Sequence, residues 1–249
     1  MTLYRPRMIE HDVDIATPDG AMNSFVVHPE EGGPHPVVLF YMDAPGKREE
    51  LHDMARRIAS VGYYVVLPNL YYRTTREFVL VRDEPGFQRM FDLLRGLSIE
   101  MVMRDTAAAL AYTDAQPAAR AGSVGMVGYC MSGPFVFAAA ARFSDRVSCS
   151  ASIYGAGLVT DRPDSPHLAI QQIRGELYFA CAEIDKYAPK DQIAALDAQL
   201  AASGIRYRLE WYPGAEHGFA FPTRAGIFHK PSAERHWERL FALFRRNLG

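Results

Sequence analysis

Short apolar runs and amphipathic stretches alternate along the chain. Pro36 to Tyr41 (Pro-Val-Val-Leu-Phe-Tyr) carries β-branched and aromatic residues in a continuous apolar run, which predicts a buried strand. Tyr63 to Leu67, Ser123 to Val127, Val147 to Ile153, Glu176 to Ala182 and Tyr207 to Tyr212 read the same way. Between them lie stretches at helical spacing. In Glu50 to Val61, residues Leu51, Met54, Ala55, Ile58 and Ala59 form one apolar face, and Gly62 ends it. Ile99 to Ala115, Pro134 to Phe143, Gln192 to Ala202 and Glu234 to Asn247 predict further helices. Asp12 to Val27 predicts a short antiparallel pair turning at Pro18-Asp19-Gly20. Tyr71 to about Leu97, rich in Arg, Asp and Phe, reads as loop and short helix.

Apolar strands separated by helices imply a mostly parallel sheet covered on both faces. No Pro/Gly/Ser-rich linker interrupts the pattern, so residues 1–249 are expected to form one domain. Composition changes little: 49% hydrophobic and 22% charged residues are ordinary for a globular chain. A formal net charge of −2 gives no reason to expect nucleic acid or an anionic membrane as partner. The N-terminal Met1-Thr2-Leu3-Tyr4-Arg5-Pro6-Arg7 has no apolar run behind its charges, unlike a secretory signal, and no stretch is long and apolar enough to span a bilayer. Three cysteines (Cys130, Cys149 and Cys181) are too few and of the wrong parity for a disulfide framework, which points to a reducing cytoplasm.

Reactive groups in such sheets gather at the carboxyl ends of strands. The strand Ser123–Val127 runs into Gly128-Tyr129-Cys130-Met131-Ser132-Gly133, and a helix follows. That is the setting of a nucleophile elbow, with Cys at the center in place of the usual Ser and Ser132 at the second small position. A thiolate at a helix N-terminus is favoured by the helix dipole. Asp185 follows the strand Glu176–Ala182, and His217 follows the strand that ends at Tyr212. The order Cys130, Asp185, His217 is that of an α/β-hydrolase, with His217 as base and Asp185 orienting it. Asp185 could instead cap a helix near Pro189, in which case Glu183 is the reserve acid. Cys149 and Cys181 lie inside apolar strands and read as structural. The eight histidines show no metal-ligand spacing, and no phosphate-binding glycine motif occurs, so neither metal nor cofactor is expected.

With these motifs, together with Tyr41-Met42-Asp43-Ala44-Pro45-Gly46, Pro68-Asn69-Leu70-Tyr71, Tyr154-Gly155 and His217-Gly218-Phe219, the chain resembles the dienelactone hydrolase family of cysteine α/β-hydrolases from about Asp12 to its last helix. The resemblance implies a triad of Cys130, His217 and Asp185 and a carboxylate, here Asp43, that contacts the resting thiol; a turn role before Pro45-Gly46 is the other reading of Asp43. It places the oxyanion hole at the backbone N–H groups of Ala44 and Met131. One departure stands out. Family members that take dienelactone hold its carboxylate with arginines, one of them four positions after the histidine, where this chain has Phe221. Arg73, Arg76, Arg82 and Arg89 are alternative sources of a cation.

These features together predict hydrolysis of a small-molecule carboxylic ester or lactone through an acyl-thioester. The rivals are a ligand-binding or redox-sensing protein that uses Cys130 as a reactive thiol, and a hydrolase of thioester or carbon–carbon bonds. Phe221 and Tyr129 are expected on the substrate pocket, and the aromatic segments 71–97 and 219–228 suggest an apolar or aromatic substrate group. A monomer and a small homo-oligomer are equally compatible with the sequence.

Overall fold

A computed structural model of the chain describes residues 7–249. The reading of the N-terminal stretch as lacking a secretory signal rests on residues 1–7, of which 1–6 lie outside the described ones. Eight strands form one sheet: β1 (Met8–Thr17), β2 (Gly20–Pro29), β3 (His35–Tyr41), β4 (Tyr64–Pro68), β5 (Ala119–Tyr129), β6 (Val147–Ile153), β7 (Glu176–Ile184) and β8 (Tyr207–Glu216). Their spatial order is β1-β2-β4-β3-β5-β6-β7-β8. The hairpin β1–β2 and the β2–β4 pair are antiparallel, and every pairing from β4 to β8 is parallel. This is the α/β-hydrolase arrangement that the sequence predicts.

Burial explains the apolar runs. All seven residues of β3 and all five of β4 are buried, because helices cover both faces of the sheet center. The edge strand β1 buries only Ile15. Helices α1 (Glu49–Ala59) and α6 (Lys230–Leu248) lie together on one face, where Arg57 of α1 pairs with Glu234 of α6 at 2.7 Å and stacks on Trp237. Helices α3 (Ile99–Asp114), α4 (Gly133–Arg142) and α5 (Lys190–Ser203) cover the other face, with a 3₁₀ segment Pro166–Gln172 packed between α4 and α5.

The irregular segment holds a well-capped helix, α2 (Glu84–Arg95). Asp83 accepts the Gly86 N–H at 2.8 Å, and Pro85 sits in the first turn, where its missing N–H costs nothing. Only Met90 and Leu93 of α2 are buried, so the helix leans on the domain rather than building its core. No helix among the described residues is long and apolar enough to cross a membrane.

Candidate active site

Strand β5 ends at Tyr129, and Cys130 takes the left-handed conformation (φ 55°) that non-glycine residues rarely adopt. Such strain persists only where the surroundings hold it. Here they do. Ser132 Oγ donates to the Met42 carbonyl at 2.5 Å, which ties the elbow to the end of β3. The Ala156 amide donates to the Cys130 carbonyl at 3.1 Å. A Cβ on Gly133 would stand 2.4 Å from Gly155 Cα, so only glycine lets the turn and the Tyr154-Gly155 segment touch. The hydroxyl to which the sequence assigns no role is thus a structural fastener. Cys130 itself is half-buried and opens into a cavity.

Asp185 and His217 meet there from the ends of β7 and β8. His217 Nδ1 lies 2.8 Å from Asp185 Oδ2, and the other Asp185 oxygen accepts the Tyr187 and Ala188 amides at 2.8 and 3.2 Å. The carboxylate is therefore fixed by its own loop before it touches the imidazole. Glu183 turns away and accepts the Gly214 N–H at 2.8 Å, so it does not reach His217. The imidazole stands between the rings of Tyr154 (5.1 Å) and Tyr187 (4.8 Å). Burial works against the charged imidazole, but the Asp185 bond and the neighbouring Cys130 outweigh it and raise its pKa to about 9. With Nδ1 committed to Asp185, Nε2 is buried without a hydrogen-bond partner among the described residues and is the nitrogen left for the thiol.

Asp43 departs from expectation. No hydrogen bond joins it to Cys130 among the described residues. It is fully buried, and both oxygens are taken by cations: Arg48 donates at 2.5 and 3.3 Å, Arg224 at 2.6 Å. Asp is a methylene shorter than Glu, and two guanidinium groups satisfy it where it stands. It also serves the turn, since its carbonyl accepts the Gly46 amide at 2.9 Å. Arg48 continues to Glu50 (2.7 Å), whose other oxygen accepts both the amide and the hydroxyl of Thr223. The loop after His217 is thereby clamped to the start of α1.

Phe221 and Tyr129 are corrections as well. Both are fully buried, off the cavity wall. Phe221 lies beneath the guanidinium groups of Arg48 (5.1 Å) and Arg224 (4.6 Å), a cation–π floor for the pair. The Tyr129 hydroxyl is 3.0 Å from Nε2 of the buried His236. Among the arginines suggested by sequence, Arg73 is locked between Asp19 and Asp105, Arg76 pairs with Asp14, and Arg89 is exposed and off the cavity wall; only Arg82 lines the cavity. Sequence reading missed Arg48 and Arg224. Gly218 (φ 95°) takes a conformation that favours glycine and lies against Arg224, but no local pattern ties either arginine to Asp43.

Ala44 and Met131 both line the cavity, and among the described residues neither amide donates to another group. Tyr71, also unassigned from sequence, joins their segments: its hydroxyl donates to the Ala44 carbonyl at 2.9 Å and lies 3.3 Å from Met131 Sδ. The cavity holds about 910 Å³ beside Cys130 and His217. A second, polar cavity of about 820 Å³ lies beyond Pro45, Leu80, Arg82 and Arg224, which line both. Among the described residues no group of three His, Cys, Asp or Glu side chains is arranged to hold a metal ion.

Comparison with known proteins agrees with the fold. The family model described as the dienelactone hydrolase family matches residues 22–248. A carboxymethylenebutenolidase of Pseudomonas putida is 26% identical over 238 residues, covering 94% of this chain and 95% of that protein. Among solved structures, a Klebsiella pneumoniae protein aligns with a TM-score of 0.86 at 23% identity, over 96% of this chain and 99% of the other. A dienelactone hydrolase-like promiscuous phosphotriesterase from metagenomic libraries aligns with a TM-score of 0.81 at 19% identity, over 97% and 99%. At these identities the structural likeness speaks for the fold.

Proposed function

The chain belongs to the dienelactone hydrolase family, and from that premise we propose that it hydrolyses a carboxylic ester or lactone with Cys130 as nucleophile, His217 as acid–base and Asp185 as the group that orients His217. The observation that carries this reading is the commitment of His217: Nδ1 is held by Asp185 at 2.8 Å and Nε2 is left for the thiol.

The chemistry follows from the donors. The Cys130 proton passes to His217 Nε2, whose raised pKa favours the charged imidazole. The sulfur attacks the carbonyl carbon, and the Ala44 and Met131 amides receive the oxyanion; one such donor is worth about a hundredfold in rate. As the tetrahedral intermediate collapses, the carbon–oxygen bond breaks and His217 returns the proton to the leaving alkoxide. Water then attacks the thioester with His217 as base, which releases the acid and restores the thiol. A thiol nucleophile calls for a reducing compartment, which makes the cytoplasm its natural setting.

Cys130→Ala tests the reading. Hydrolysis of 4-nitrophenyl acetate should fall to the uncatalysed rate, and mass spectrometry of the wild type quenched during turnover should find one acyl group on Cys130. Wild-type rates in the variant would sink the assignment. Stoichiometric alkylation of Cys130 in a protein inert to every ester and lactone would favour a thiol sensor.

A further inference from the structure

We propose that the substrate of this site is a neutral ester whose bulky apolar group lies along α2. The proposal rests on the esterase reading and adds a substrate class to it. A cavity of about 910 Å³ is far larger than an acetyl or small lactone ring needs. One wall is a stripe of α2, Phe87, Met90, Phe91 and Leu94, at the i, i+3, i+4, i+7 spacing of a single helix face. In a helix that completed the core, this face would be buried. Here Phe87 and Phe91 remain 40% and 38% exposed, so they stand open to an apolar ligand. Phe135 and Ile227 continue the apolar lining.

Charge decides against an anionic substrate. Arg224, the cation set deepest in the wall, already pairs with fully buried Asp43 and stacks on Phe221. A substrate carboxylate that took Arg224 would leave the buried Asp43 carboxylate half-paired, a costly exchange. The other cations of the wall, Arg82, Arg95, Arg162 and Lys186, are all exposed, and two of them already face Asp92 and Asp164. Exposed charges of this kind add little to binding.

The test compares kcat/KM for three 4-nitrophenyl esters, with Cys130→Ala as the blank: the acetate, the heptanoate, and the monoester of adipic acid, in which a carboxylate replaces the chain end. The heptanoate should exceed the acetate by about tenfold or more, a fraction of what full burial of the added methylenes would give. The adipate monoester should fall at least about tenfold below the heptanoate, because its carboxylate enters the site unpaired. In a Phe87→Ala/Phe91→Ala variant, the heptanoate-to-acetate ratio should drop about tenfold. Equal rates for acetate and heptanoate, or an adipate monoester as good as the heptanoate, would overturn the proposal if acetate turnover still needs Cys130. Acetate turnover that survives Cys130→Ala would sink the esterase reading itself, and the proposal with it.

Discussion

Two buried aspartates stand near Cys130 and have opposite surroundings. Asp185 gives one oxygen to two backbone amides of its own loop and the other to an imidazole, a group that gains and loses a proton in the working pH range. Asp43 gives both oxygens to arginines, which never titrate in that range. The first arrangement hands an electrostatic preference to a proton carrier. The second ends in a fixed charge and can only hold parts in place. Equal burial and equal charge therefore do not imply equal roles; the partner decides.

Asp185→Asn should lower kcat by about three to four orders of magnitude with KM and melting temperature little changed, as expected when the imidazole loses the partner that sets its tautomer. Steady-state kinetics beside thermal denaturation would check this, and retention of more than a tenth of the wild-type rate would break the contrast. Asp43→Asn should act the other way round. Leaving two arginines facing a neutral amide should destabilise the fold by about 3 kcal/mol, measured by urea denaturation, with a loss of activity of roughly tenfold at most. A collapse of activity at full stability would instead give Asp43 a part in the chemistry.

Tyr71→Phe should lower kcat by about tenfold at constant KM, since the hydroxyl that joins the Ala44 and Met131 segments is lost while both amides remain. The smallest effect concerns pH. The His217 proton that the leaving alkoxide needs is lost as pH rises through about 9, so kcat/KM for an alkyl ester should decline on that side. Asp185→Asn removes the hydrogen bond that raises His217, so the alkaline limb should move to lower pH. The stability linked to this shift has the same sign. It is fully present below the ordinary value of 6.5 and lost as pH climbs through about 9.

Much of this was legible because the signals are local. Strand, tight turn and helix follow one another around Cys130, so the elbow is written in contiguous residues, and the Asp185 and His217 loops each follow a readable strand. The environment of Asp43 was not legible, because the partner that most changes it, Arg224, lies 181 positions away. An arginine carries no local mark of which carboxylate it will meet. The resemblance sets Phe221 against a substrate-binding arginine and so puts it on the pocket wall; in the fold that position faces inward and supports the guanidinium groups from below. Helix α2 was partly legible. Its cap and Pro85 are clear start signals, but its apolar face lines an open cavity rather than the core, among many charged residues.

That helix separates two burdens that proteins often load on the same residues. Since α2 lends the core only Met90 and Leu93, while Phe87 and Phe91 stay open, exchanges at Phe87 and Phe91 spend almost none of the fold's stability. Descendants of this sequence could change diet by rewriting those two open positions while the elbow and its partners stayed untouched.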